Sequence, residues 1–171
     1  KYYLDCKQNN LINSLKIQPL IVVIRLESDF FDIPNKRDAL LFNIKKLSNY
    51  GIKHIEIGWD SNPEWVNLIS EIKNSFEFLN IGAASISSIQ ALDSILSLNL
   101  NYSMSPFFNK EIHLKAITYN QLVIPGISNI ENFKEAINLG YKIIKIFPAS
   151  KLGINFLNKL KDFKENGIFF I

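Results

Sequence analysis

Residues 141–149 read YKIIKIFPA. A single lysine, Lys145, interrupts a β-branched apolar run that stops at a proline. Such a run is too short for a typical helix and matches a strand buried on both faces, as in a parallel sheet. Similar runs lie on either side of it, at Leu20–Ile24, Lys53–Ile57, Asn80–Ala84, Tyr102–Ser105, Leu122–Ile124 and Ile168–Ile171. With Ile143–Ile146 they make seven strands, starting at intervals of 20–33 residues. That spacing is the length of a βα unit.

The segments between strands carry helical periodicity. Lys36–Tyr50 places Leu40, Ile44 and Leu47 on one stripe and ends at Gly51, suited to the left-handed position after a helix. The next helix opens with Ser61 and Asn62 as caps and Pro63 in the first turn, then lines up Trp65, Leu68, Ile69, Ile72 and Phe76. Ser88–Leu98, Lys110–Tyr119, Asn129–Leu139 and Ile154–Phe163 complete the alternation. Strict β–α alternation implies right-handed crossovers and a parallel sheet. The first strand runs into RLESDFFD without the glycine-rich turn of a dinucleotide fold, so a barrel is the better reading. Seven strands in 171 residues predict one (β/α)8 TIM-type barrel domain over 1–171, with its last βα unit missing after Ile171.

Composition narrows the function classes. The chain is 47% hydrophobic and 20% charged, and its net charge of +3 is spread without a basic stripe, which argues against nucleic-acid binding. No apolar run approaches the roughly 20 residues that cross a bilayer. One cysteine, Cys6, and an N-terminus without a secretory core point to a reducing cytoplasm. With that one cysteine and no cluster of His or carboxylates, no metal site is expected.

In a barrel, alternate strand residues point inward and those at C-terminal strand ends build the site. On this parity Arg25, Glu56, Ser85, Ser105 and Lys145 converge. Lys145 is either an ion-paired or snorkelling lysine, or a desolvated amine able to attack a ketone and form a Schiff base. Glu56, within HIEIGW, is either a structural ion-pair partner of Arg25 or Lys145, or the general acid/base an imine needs. Arg25 is either an anchor for an anionic substrate group or a rim salt bridge. Ser85 offers a hydroxyl to a carboxylate or opens the following helix. His54 is read as a packed strand residue and His113 as a helix-surface residue.

The ordered set VVIR, HIEI, IGAAS, MSP, IPG and KIFPA, from Ile21 to Ala149, resembles the 2-keto-3-deoxy-6-phosphogluconate and 4-hydroxy-2-oxoglutarate aldolases. The resemblance implies a class I aldolase without cofactor or metal. Lys145 would form the imine with pyruvate or the keto acid, and Glu56 would move protons. Arg25 and Ser85 would contact substrate, Ser105 would join them, and Pro125, Gly126 and Pro148 would shape the site. The partner implied is a small keto acid, and the assembly a homotrimer.

This chain departs from the family at two points. Asp60 stands where many members carry an arginine, which favours an unphosphorylated 4-hydroxy-2-keto acid as the alternative substrate. Ala84 replaces a glycine in the turn before Ser85. A noncatalytic keto-acid-binding barrel is the remaining alternative.

Overall fold

The computed structural model describes residues 2–161, 163 and 167–171. The elements run α1 (Tyr2–Ile17), β1 (Val22–Ile24), α2 (Asn35–Asn49), β2 (His54–Gly58), α3 (Glu64–Ser75), β3 (Asn80–Ala84), α4 (Ile89–Leu96) and β4 (Tyr102–Met104). They continue with α5 (Lys110–Thr118), β5 (Val123–Ile124), β6 (Gly126–Ile127), α6 (Ile130–Asn138), β7 (Ile143–Ile146), α7 (Ala149–Lys159) and β8 (Phe169–Phe170). Every strand pair is parallel, β1-β2-β3-β4-β5 and then β6-β7-β8. The predicted α/β alternation is the observed one.

Strand five of the sequence reading, Leu122–Ile124, is observed as β5, and a further short strand, β6, follows it after Pro125, which has no N–H to give to a ladder. The Pro125 carbonyl still accepts from Lys145 N at 3.0 Å, so the two short strands bridge β4 to β7. Among the described residues β1 and β8 each pair on one side. Of the helix predicted over 154–163, residue 162 lies outside the described residues; the observed α7 is two helical segments joined at the non-helical Gly153 (φ +68°), the second beginning at the predicted Ile154.

Local chemistry sets the helix starts. Ser88, Asn109 and Asn129 each accept a backbone N–H three residues on, from Ala91, Ile112 and Asn132. The cap of α4 is therefore Ser88, and the reading of Ser85 as the helix-opening serine is corrected. Before α3, Asp60 accepts from Asn62 N at 2.7 Å, and Asn62 from Glu64 N at 2.9 Å. These two side-chain turns swing the chain from the end of β2 into the helix.

Helix α1 is an element the sequence reading did not include. Leu4, Leu11, Ile12 and Leu15 are all buried, a spacing that only a helix brings to one face. It packs beneath the strands: Ser14 bonds His54 at the start of β2 at 2.8 Å and Asn80 at the start of β3 at 3.3 Å, while Gln8 accepts from Lys142 N at 2.6 Å. His54, read as a packed strand residue, is held there by Ser14 and the Leu20 carbonyl.

Two apolar layers result. Ile55, Ile57, Ile81 and Ala83 pack outward against Leu68, Ile69 and Ile72 of α3 and Leu92 and Ile95 of α4. On the other side of the sheet, Tyr102, Met104 and Ile124 pack with Leu11 and Leu15 of α1. The parity expected for β2 is observed, but that expected for β3 and β4 is reversed. Gly82, Tyr102 and Met104 occupy the inner face, while Ile81, Ala83, Ser103 and Ser105 lie on the other parity. Both faces of a parallel sheet are covered, so a polar residue is not marked as inward by polarity alone.

Candidate active site

The register of the sheet aligns Val23, Glu56, Gly82 and Tyr102 as successive partners across β1 to β4. This row crosses the interior beside a cavity of about 260 Å³. Leu15 and Pro19 lie at one end, Ile21 and Val23 of the β1 side and Phe169 to Ile171 of the β8 side form walls, and Met104, Glu56 and Lys145 supply the rest. The lining is apolar apart from one carboxyl and one amine.

Glu56 is 0% exposed, and among the described residues neither carboxylate oxygen has a hydrogen-bond partner. Burial raises its pKa to about 7, because a charged carboxylate there gives up hydration without protein donors to replace it. The positive charges of Lys145 and Arg25 pull the other way and are outweighed. The ion pair considered for Glu56 is thus not formed at bonding distance. What stands in its place is a carboxyl group that exchanges a proton near neutrality.

Lys145, on β7, is half-buried and fixed through its backbone by Pro125 and Gly126. Its Nζ lies 5.1 Å from the centroid of the Phe147 ring, a cation–π contact made by the phenylalanine of the KIFPA run. Pro148 follows at the N-cap of α7, joined to Phe147 by a cis peptide bond. Gly126 is required sterically. A Cβ there would sit 2.5 Å from the Pro106 carbonyl oxygen and 2.6 Å from that of Ser105, so only glycine lets the loop after β4 close over the strand.

Arg25 and Ser85 meet at the rim, where Arg25 Nη1 donates to Ser85 Oγ at 3.2 Å. Ser85 holds φ of +66°, a left-handed conformation costly for a side chain other than glycine. The exposed guanidinium and this hydroxyl make a donor pair suited to a carboxylate. Asp60 turns Oδ1 onto Asn62 N and is not among the cavity residues.

Ser105 departs from the expected set. It is buried on the far side of the sheet from Glu56, its hydroxyl donating to Phe107 O at 2.9 Å and lying 3.2 Å from His113 Nε2. His113 is itself fully buried, which corrects its reading as a helix-surface residue; Tyr141 Oη lies 3.0 Å from its Nδ1 and Phe108 stacks on its ring. A neutral imidazole with its proton on Nε2 satisfies every partner in this chain. Burial lowers the His113 pKa to about 4, consistent with that neutral form.

The sequence profile of the family described as KDPG and KHG aldolase matches residues 11–166. The chain belongs to this aldolase family. The 2-dehydro-3-deoxy-6-phosphogalactonate aldolase of Escherichia coli (strain K12) is 25% identical over 125 residues, covering 72% of this chain and 60% of the relative. The 2-dehydro-3-deoxy-phosphogluconate aldolase of Treponema pallidum (strain Nichols) is 24% identical over 50% of this chain and 40% of its own length. The chain therefore spans about 60% and 40% of the lengths of these two relatives.

Among solved structures, the Zymomonas mobilis ZM4 2-keto-3-deoxy-6-phosphogluconate aldolase superposes with a TM-score of 0.78 at 17% identity, covering 95% of this chain and 73% of that one. The KDPG aldolase of Legionella pneumophila, solved with pyruvate captured as a covalent carbinolamine, gives 0.72 at 22% identity, covering 89% and 69%. These likenesses place the fold with the barrel-type aldolases, as the sequence motifs had implied.

Proposed function

We propose that this protein is a class I aldolase acting on a 2-keto-3-deoxy sugar acid, phosphorylated at its far end, and releasing pyruvate and an aldehyde. The observation that carries the reading is Glu56, a carboxyl titrating near pH 7 in the same apolar cavity as Lys145. The activities named for the E. coli and T. pallidum relatives support the substrate class.

In this mechanism the Lys145 amine attacks the C2 carbonyl and water leaves, forming a protonated imine. The C4 hydroxyl gives up its proton as the C3–C4 bond breaks, the bonding electrons flow into the imine, and an aldehyde departs. The resulting enamine takes a proton at C3, and hydrolysis frees pyruvate and regenerates the amine. Glu56 is the group that accepts and returns these protons, and Arg25 with Ser85 holds the substrate carboxylate. The homotrimer belongs to the same proposal and is checked by sedimentation equilibrium.

The test is borohydride reduction in the presence of pyruvate, followed by intact-mass measurement and peptide mapping. A reduced pyruvyl adduct on Lys145, absent in Lys145→Ala, is the expected result. A folded protein that forms no adduct overturns the aldolase reading in favour of a noncatalytic barrel.

A further inference from the structure

Tyr102 shares with Glu56 a condition that few buried polar groups tolerate. Its side chain is 0% exposed, and among the described residues its hydroxyl has no hydrogen-bond partner. Buried hydroxyls normally find one.

The register explains where the phenol goes. Glu56 and Tyr102 are both partners of Gly82, one strand to each side. Because Gly82 has no Cβ, the Tyr102 ring lies directly over it: a Cβ built there would be 2.8 Å from both Cε2 and Cζ of the tyrosine. Adjacent strands are about 4.8 Å apart. A ring whose Cζ already stands over the middle strand therefore extends its hydroxyl toward the strand of Glu56. The charge of Glu56 acts on the phenol, adding to burial in pushing its pKa up.

We propose that Tyr102 is a positioning residue for Glu56: when the carboxyl ionises, the Tyr102 O–H donates to it across Gly82. The inference rests on the aldolase reading only for its consequence in catalysis; the pairing itself stands on the register and the two orphan groups. Lys145 from β7 and Arg25 beyond β1 are the charged groups acting on Glu56 from elsewhere, and Tyr102 is the neutral donor from the β4 side. Its effect is to stabilise the carboxylate that remains after Glu56 has given its proton away. Tyr102 also fixes the direction in which that carboxylate points.

The experiment uses Tyr102→Phe, which keeps the ring over Gly82 and removes only the oxygen. The side-chain carboxyl of Glu56 is followed by ¹³C NMR through a pH titration, with Glu56→Gln identifying its resonance. Loss of a donor to the charged form raises the midpoint, and the expected shift is upward by about one pH unit. The pH profile of C3-proton exchange in pyruvate is expected to move by the same amount. An unchanged Glu56 midpoint overturns the proposal and leaves Tyr102 as packing. Failure of the wild-type protein to trap pyruvate sinks the aldolase reading instead, and the NMR titration still decides the pairing.

Discussion

The molecule holds two buried polar centres on opposite faces of one sheet, and they are built on opposite terms. Outside the strands, Tyr141, His113, Ser105 and the Phe107 carbonyl form a chain in which each donor finds an acceptor. Inside, Glu56 and Tyr102 are as deeply buried and have no partner among the described residues. A satisfied network contributes rigidity and holds the loop after β4 in place. An unsatisfied pair costs stability and leaves hydrogen-bonding capacity unspent in the fold. An orphan atom alone does not mark chemistry, since Trp59 Nε1 and, on the outer parity, Ser103 Oγ are also buried without a partner among the described residues; what sets Glu56 apart is the cavity it shares with Lys145.

The sharpest way to break this contrast is at the inner centre. Glu56→Gln is expected to slow turnover by about 10²–10⁴-fold, the range for loss of a general acid/base, as measured by steady-state aldol cleavage. The same substitution is expected to stabilise the fold at alkaline pH. The native Glu56 pKa of about 7 lies above its usual value of 4.5, so the native state holds a proton that the unfolded chain has released. Stability then falls as pH rises from 4.5 through 7, by on the order of 3 kcal/mol. Thermal melts of wild type and Glu56→Gln should agree near pH 4.5 on this account and diverge in favour of the variant at pH 8.

The outer centre should behave in the reverse sense. The pKa of His113, near 4 against an ordinary 6.5, means that the unfolded chain binds a proton the native state refuses, so this group withdraws stability as pH falls from 6.5 through 4. Tyr141→Phe leaves His113 Nδ1 without its donor and should cost about 1–3 kcal/mol in denaturant unfolding at pH 8. Pyruvate trapping at Lys145 should survive it. A loss of trapping with the fold intact would break the separation of the two centres.

The smallest effect is expected at the rim. Ser85→Gly relieves a positive φ and removes the hydroxyl facing Arg25, so a gain of about 1 kcal/mol in stability should accompany a few-fold rise in KM for the keto acid.

Reading the chain before its structure recovered the alternation of elements and the pair Lys145 and Glu56, since a charged residue inside an apolar strand stands out in one dimension. It missed α1, whose buried stripe of Leu4, Leu11, Ile12 and Leu15 is interrupted at its centre by a polar residue, Gln8. Ser105 and His113 were misplaced for a different reason. In YSMS the serines alternate with apolar residues, and with both faces covered either parity is chemically acceptable.

By itself, then, the sequence determined the order of strands and helices, through the periods 2 and 3.6 that backbone geometry imposes on apolar residues, and it put one amine and one carboxyl on inward-facing positions. Which way β3 and β4 turn their polar residues was decided only by the tertiary structure. So were the raised pKa of Glu56 and the placing of Tyr102 over Gly82. Register across strands, and the dielectric around a side chain, are set by neighbours that lie tens of residues away along the chain.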